Sequence, residues 1–161
     1  MPIFHSQLSG QGTAPDGKLV QIPPTIALQQ RGPVVQVSIS LEQSYAMALT
    51  QQGKSAPPPE VGLALIDTGA SNTCIDDEAA KKMGLPVIDV GTMSSASHAE
   101  TQWNIYPIQI EIPGFPIRFQ APRAMGAALK EQGLLLLLGR DMLARATLFY
   151  NGAAGQLTVS I

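Results

Sequence analysis

The stretch Ala64-Leu65-Ile66-Asp67-Thr68-Gly69-Ala70-Ser71 constrains this chain more than any other. An apolar run leads directly into an aspartate, and Thr-Gly follows. The run reads as a short buried strand, with the glycine turning the chain at its end. Such a strand carries a carboxylate to its tip, where desolvation makes a charge costly unless chemistry or hydrogen bonding requires it. A fold that contains it must therefore build a rigid turn around Asp67.

The rest of the composition favours a β protein. Fifteen Gly and thirteen Pro in 161 residues point to many turns, and 45% apolar residues are enough for one sizeable core. Net charge is -2 and no basic run or basic-aromatic patch appears, so nucleic acid is not an expected partner. Cys74 is the only cysteine, which excludes an internal disulfide and suits a reducing compartment. The N-terminus lacks the basic and apolar regions of a signal peptide, and no apolar run could cross a bilayer. A cytoplasmic location is the resulting expectation.

Along the chain, residues 1–32 show little periodicity and read as an N-terminal arm, partly flexible. Within it, Lys18 to Ile22 and Thr25 to Leu28 are candidate extended segments. Pro33 to Leu41 alternates apolar and polar residues, as a half-buried strand does. Pro57-Pro58-Pro59 marks a loop before the strand Val61 to Ile66. Asp76 to Gly84 is a predicted short helix, acidic at its start, basic in its last turn and closed by glycine. Strands are predicted at Val87–Val90 and Ile105–Ile112, with a small, polar hairpin tip between them. Phe115 to Phe119 reads as an edge strand, because it holds a proline. Leu134 to Leu138 is a buried strand ended by Gly139, then one or two helical turns from Arg140. The chain closes in a hairpin around Asn151-Gly152. One domain, 33–161, accounts for everything after the arm.

Asp-Thr-Gly alone is a weak signal, since such a triplet can be an ordinary turn. Here an apolar strand precedes it, Ala-Ser follows it, and Leu137-Leu138-Gly139 lies downstream. With these features the chain resembles the retropepsin-like aspartic peptidases, whose bacterial members look closest. The resemblance covers roughly Pro33 to Ile161. It implies an all-β, pepsin-like half-barrel with a flap hairpin and one or two short helices. It also implies an aspartic endopeptidase, possibly self-processing, with Asp67 as the catalytic residue. Thr68 would hydrogen-bond its mate across a two-fold axis, Gly69 would let the backbone approach the carboxylates, and Ala70 and Ser71 would line the floor. Leu137, Leu138 and Gly139 would cross behind the loop and hold it. Residues 87–112 would form the flap, with Thr92, Met93, Ser94, Ser95, Ala96, Ser97 and His98 covering an extended peptide substrate.

Carboxylate-driven peptide hydrolysis needs two acids facing one water. The chain supplies one Asp-Thr-Gly, so a homodimer is the expected partner arrangement. A peptide-binding or dimerisation module on the same fold, with weak or no turnover, is the alternative. No cofactor or metal is expected: His5 and His98 have no ligand-like spacing with other donors. Retroviral members carry an acid at the position of Ser71, which pairs with an arginine like Arg140. That pairing is expected to be lost here. Cys74 reads as a small buried thiol. Asp76, Asp77 and Glu78 are explained by their place at a helix start.

Overall fold

The computed structural model describes residues 2–95 and 98–161. Strands dominate it. In chain order they are β1 (Ile3–Gln7), β2 (Gly10–Thr13), β3 (Leu19–Ile22), β4 (Val34–Leu41), β5 (Glu60–Ile66), β6 (Cys74–Asp76), β7 (Asp89–Ser95), β8 (His98–Glu111), β9 (Arg118–Ala127), β10 (Leu136–Leu138), β11 (Thr147–Asn151) and β12 (Gln156–Ser160). The helices are α1 (Pro24–Arg31), α2 (Gln43–Gln51), α3 (Asp77–Met83) and α4 (Arg140–Leu143).

The main sheet runs β4-β5-β10-β6-β9-β8-β7, and β4 also pairs with β8. That extra pairing closes six strands into a barrel and leaves β7 attached to β8 alone. The alternation anticipated in β4 is realised: Val35, Val37, Ile39 and Leu41 point inward. They meet Ile75, Ile108, Ile110 and Leu136, which are fully buried. A closed barrel has no edges to protect along its ring, which suits a chain with so few charges.

A smaller sheet, β1-β12-β11, joins the two ends of the chain, and β2 pairs with β3 as a separate hairpin. The expected extended segment at Leu19–Ile22 is therefore a strand. Thr25 to Leu28 is not extended but lies in α1. Pro24 presets the first helical turn, Arg31 sits in the last, and Gly32 ends the helix with φ of 73°. Four residues are too few to separate helical from strand periodicity, and this capping chemistry decides. Ala27 and Leu28 are buried in the common core.

The all-β reading holds, with α1 and α2 added to the two short helices expected. Glu42 starts α2 by accepting hydrogen bonds from the Ser44 and Tyr45 amides at 2.9 and 3.3 Å. No residue of α2 is fully buried, and Ala46 and Leu49 pack on the core only in part. The strand expected at Phe115–Phe119 begins later, at Arg118. It lies inside the sheet at its C-terminal end, where Met125, Gly126 and Ala127 pair with β6. Only its first part keeps the expected open edge.

Candidate active site

Asp67 leaves the end of β5 beside β10. The two strands are parallel, with Leu137 opposite Leu65 and Leu138 opposite Ile66. β10 also pairs antiparallel with β6, through Leu137 and Cys74. The loop from Asp67 to Thr73 thus starts and ends on strands that flank the same three residues. Asp67 is tied directly to that crossing, because its amide donates to the Leu138 carbonyl at 2.9 Å.

The crossing requires glycine at 139. A Cβ there would lie 2.4 Å from the Asn72 carbonyl carbon and 2.9 Å from the Thr73 nitrogen. Leu137, Leu138 and Gly139 are therefore brought behind the loop. Gly69 is needed for a different reason. Its amide donates to Asp67 Oδ1 at 2.7 Å, and a Cβ on it would sit 3.0 Å from the same oxygen. Asp67 is partly exposed, and among the described residues nothing donates to its Oδ2.

Segment 139–142 binds the loop along its length. The Arg140 amide donates to the Ala70 carbonyl at 2.9 Å and the Asp141 amide to the Ser71 carbonyl at 3.2 Å. The Arg140 guanidinium donates to the carbonyls of Thr68 and Gly69 and to Ser71 Oγ, each at 2.8 Å. Ser71 cannot form the ion pair an acid would, but Arg140 still reaches that position through a hydrogen bond. The serine hydroxyl accepts where an acid would, and two loop carbonyls take the remaining donors.

Asp141 and Thr73 form a brace that the sequence reading missed. The Asp141 carboxylate accepts from the Thr73 amide at 3.0 Å, the Thr73 hydroxyl at 2.8 Å and the Met142 amide at 2.9 Å. Thr73 Oγ1 in turn accepts from the Gly139 amide at 3.2 Å and is fully buried. The available signal was a threonine between the signature and an apolar strand, matched by an aspartate directly after Gly139-Arg140.

The other nearby acids are committed elsewhere. Asp76 is buried and accepts three backbone amides, from Ala79, Leu129 and Lys130. It caps α3 and fastens the segment before β10, as its position at a helix start suggested. Asp77 accepts from Asn104 and the Tyr106 hydroxyl, both at 2.8 Å, and pairs with Lys81. Burial pushes its carboxyl up, but those three hydrogen bonds outweigh burial and hold it below the ordinary value. Burial and the Asp77 carboxylate push the Tyr106 phenol up to about 12.

Cys74, expected to be a buried thiol, is half-buried. Burial raises its pKa first, and the negative charges of Asp141 and Asp67 raise it further. A thiol so placed stays protonated and is a poor nucleophile. Among the described residues no group of three His, Cys, Asp or Glu could hold a metal, and no helix is long and apolar enough to cross a membrane.

The hairpin expected over the site exists as β7 and β8, paired from Asp89–Ile105 to Ser95–His98 with a register shift between Met93 and Ser95. Thr92, Met93, Ser94 and Ser95 lie on β7 and His98 on β8, so these positions extend the strands rather than form a long tip. Ala96 and Ser97 fall outside the described residues.

A braced Asp-Thr-Gly loop thus stands at the end of a barrel strand, beside an apolar strand that ends in glycine. The family described as "gag-polyprotein putative aspartyl protease" matches residues 62–145, more than half of the chain. The chain belongs to that retropepsin-like aspartyl protease family. A solved structure, that of a retropepsin-like aspartic protease from Rickettsia conorii, is similar at a TM-score of 0.42 with 16% identity, covering 78% of this chain and 90% of that one. No curated protein matches this chain.

Proposed function

We propose that this protein is an aspartic endopeptidase whose reaction centre forms when two copies bring their Asp67 side chains together. The observation that carries this is the contrast among its aspartates. Asp67 sits on a fixed loop with one carboxylate oxygen unengaged, whereas Asp76, Asp77 and Asp141 are each held by two or more donors. Of these four aspartates only Asp67 keeps a carboxylate oxygen without a donor among the described residues, and the chemistry needs two such groups.

Two such carboxyls in contact share one proton, and the pair titrates as a unit. The ionised member takes a proton from water as the water oxygen attacks the peptide carbonyl carbon. The protonated member gives its proton to the carbonyl oxygen. The tetrahedral adduct then collapses: one of its hydroxyls returns its proton to the dyad as the C=O bond re-forms, the C–N bond breaks, and the amine leaves with the proton the dyad took from water. Thr68 braces the paired loops across the axis. The β7–β8 hairpin closes over an extended substrate bound through main-chain hydrogen bonds. No cofactor enters this scheme, and self-processing within residues 1–32 is one substrate it allows.

The test compares wild type with Asp67→Asn on a peptide library from acid to neutral pH. Loss of cleavage with an unchanged oligomeric state is the expected result. Equal cleavage by both proteins would remove Asp67 from the mechanism. Peptide binding without cleavage in wild type would favour the binding-module reading.

A further inference from the structure

The first part of β9 has one side paired and the other open. Arg118 to Ala121 pair with β8, but β6 covers only Met125 to Ala127 on the opposite side. The first backbone bond on that opposite side, among the described residues, is from the Met125 amide to the Thr73 carbonyl. A groove of about 600 Å³ follows the open edge and is walled by α4 and Ile161. Phe119, Ala121 and Met142 give it an apolar floor.

Its rim is basic in a protein of net charge -2. Arg118, Arg123 and Arg145, three of the five arginines in the chain, line this one groove. Arg118 and Arg123 have ion pairs with Glu111 and Asp89, but their side chains remain 69% and 62% exposed. Such pairs are weak and yield to a competing anion. Asp141 also lines the groove, yet its carboxylate is occupied by Thr73 and Met142. The edge rejects a second copy of itself, because paired edges would set arginine against arginine. Pro122 also removes a donor, and β9 is irregular where it passes Pro107.

From these features we propose that the groove is a docking site for an extended acidic segment of a partner protein, which adds as a short strand along Arg118–Ala121. Its backbone pairs with the open edge, its apolar side chains enter the floor and its carboxylates meet the three arginines. The lining of the groove includes no residue of the Asp67–Ser71 loop or of the β7–β8 hairpin.

The probe is a labelled hexapeptide alternating glutamate and valine, with a lysine–valine peptide as control. Fluorescence anisotropy with the full chain should show saturable, salt-sensitive binding of the acidic peptide only. Binding should weaken about tenfold in Arg118→Glu/Arg145→Glu and stay unchanged in Asp67→Asn. Hydrogen exchange on the wild type should show protection of amides at 118–121 when the acidic peptide is bound, a readout that needs no variant. Absence of saturable binding, equal binding of the lysine peptide, or protection elsewhere than β9 would overturn the proposal.

Discussion

At the scale of single residues, the loop owes its shape to contacts that a sequence displays only in part. Asp-Thr-Gly is visible at once. The partners that immobilise it are about seventy residues away and become visible only when β10 is placed beside β5. Thr73 shows their weight. Thr73→Val removes the hydroxyl that bridges Asp141 and the Gly139 amide, leaving the buried Gly139 amide unpaired, and should cost about 1–3 kcal/mol in denaturant unfolding. Gly139→Ala drives a methyl into the Asn72 carbonyl and should lower activity and stability together, with a cost of roughly 1–3 kcal/mol or more. Arg140→Ala differs, because its guanidinium is exposed and binds only the loop. It should lower kcat more than it lowers the unfolding midpoint, which steady-state kinetics beside thermal melts will show.

At the scale of elements, the α3–β8 junction makes a pH-dependent contribution to stability. Asp77 is held below its ordinary pKa, so its contribution is present above about pH 4 and declines as acid protonates it. Tyr106 is raised to about 12, so its contribution is intact below about pH 10 and is lost as pH rises toward 12. Tyr106→Phe should destabilise by about 1–3 kcal/mol at neutral pH and shift acid unfolding to higher pH, measurable by circular dichroism across a pH series. Elements whose own residues set their period and caps were legible in the sequence: β4 by alternation, α3 by its charges and Gly84, and the terminal hairpin by its turn. Elements decided by tertiary contact were not. α1 carries its burial on two residues, and α2 rests on a glutamate cap and the partial burial of Ala46 and Leu49. β9 starts after Pro116, which has no amide to donate, and the later part of that strand has β6 as a neighbour.

At the scale of the whole molecule, a closed barrel holds one braced acid at its rim, and the proposed catalyst needs two molecules. β12 lies between β1 and β11 in the same chain, so both of its edges are already used. Association therefore has to use another surface or displace β1. The direct test titrates Asp67→Asn protein into a fixed amount of wild type and follows peptide cleavage. If each centre needs one intact aspartate from each copy, mixed dimers are inactive, and activity should fall steeply as the variant is added. Activity that stays constant while subunits demonstrably exchange would mean that a single chain carries the whole reaction centre, contradicting the account.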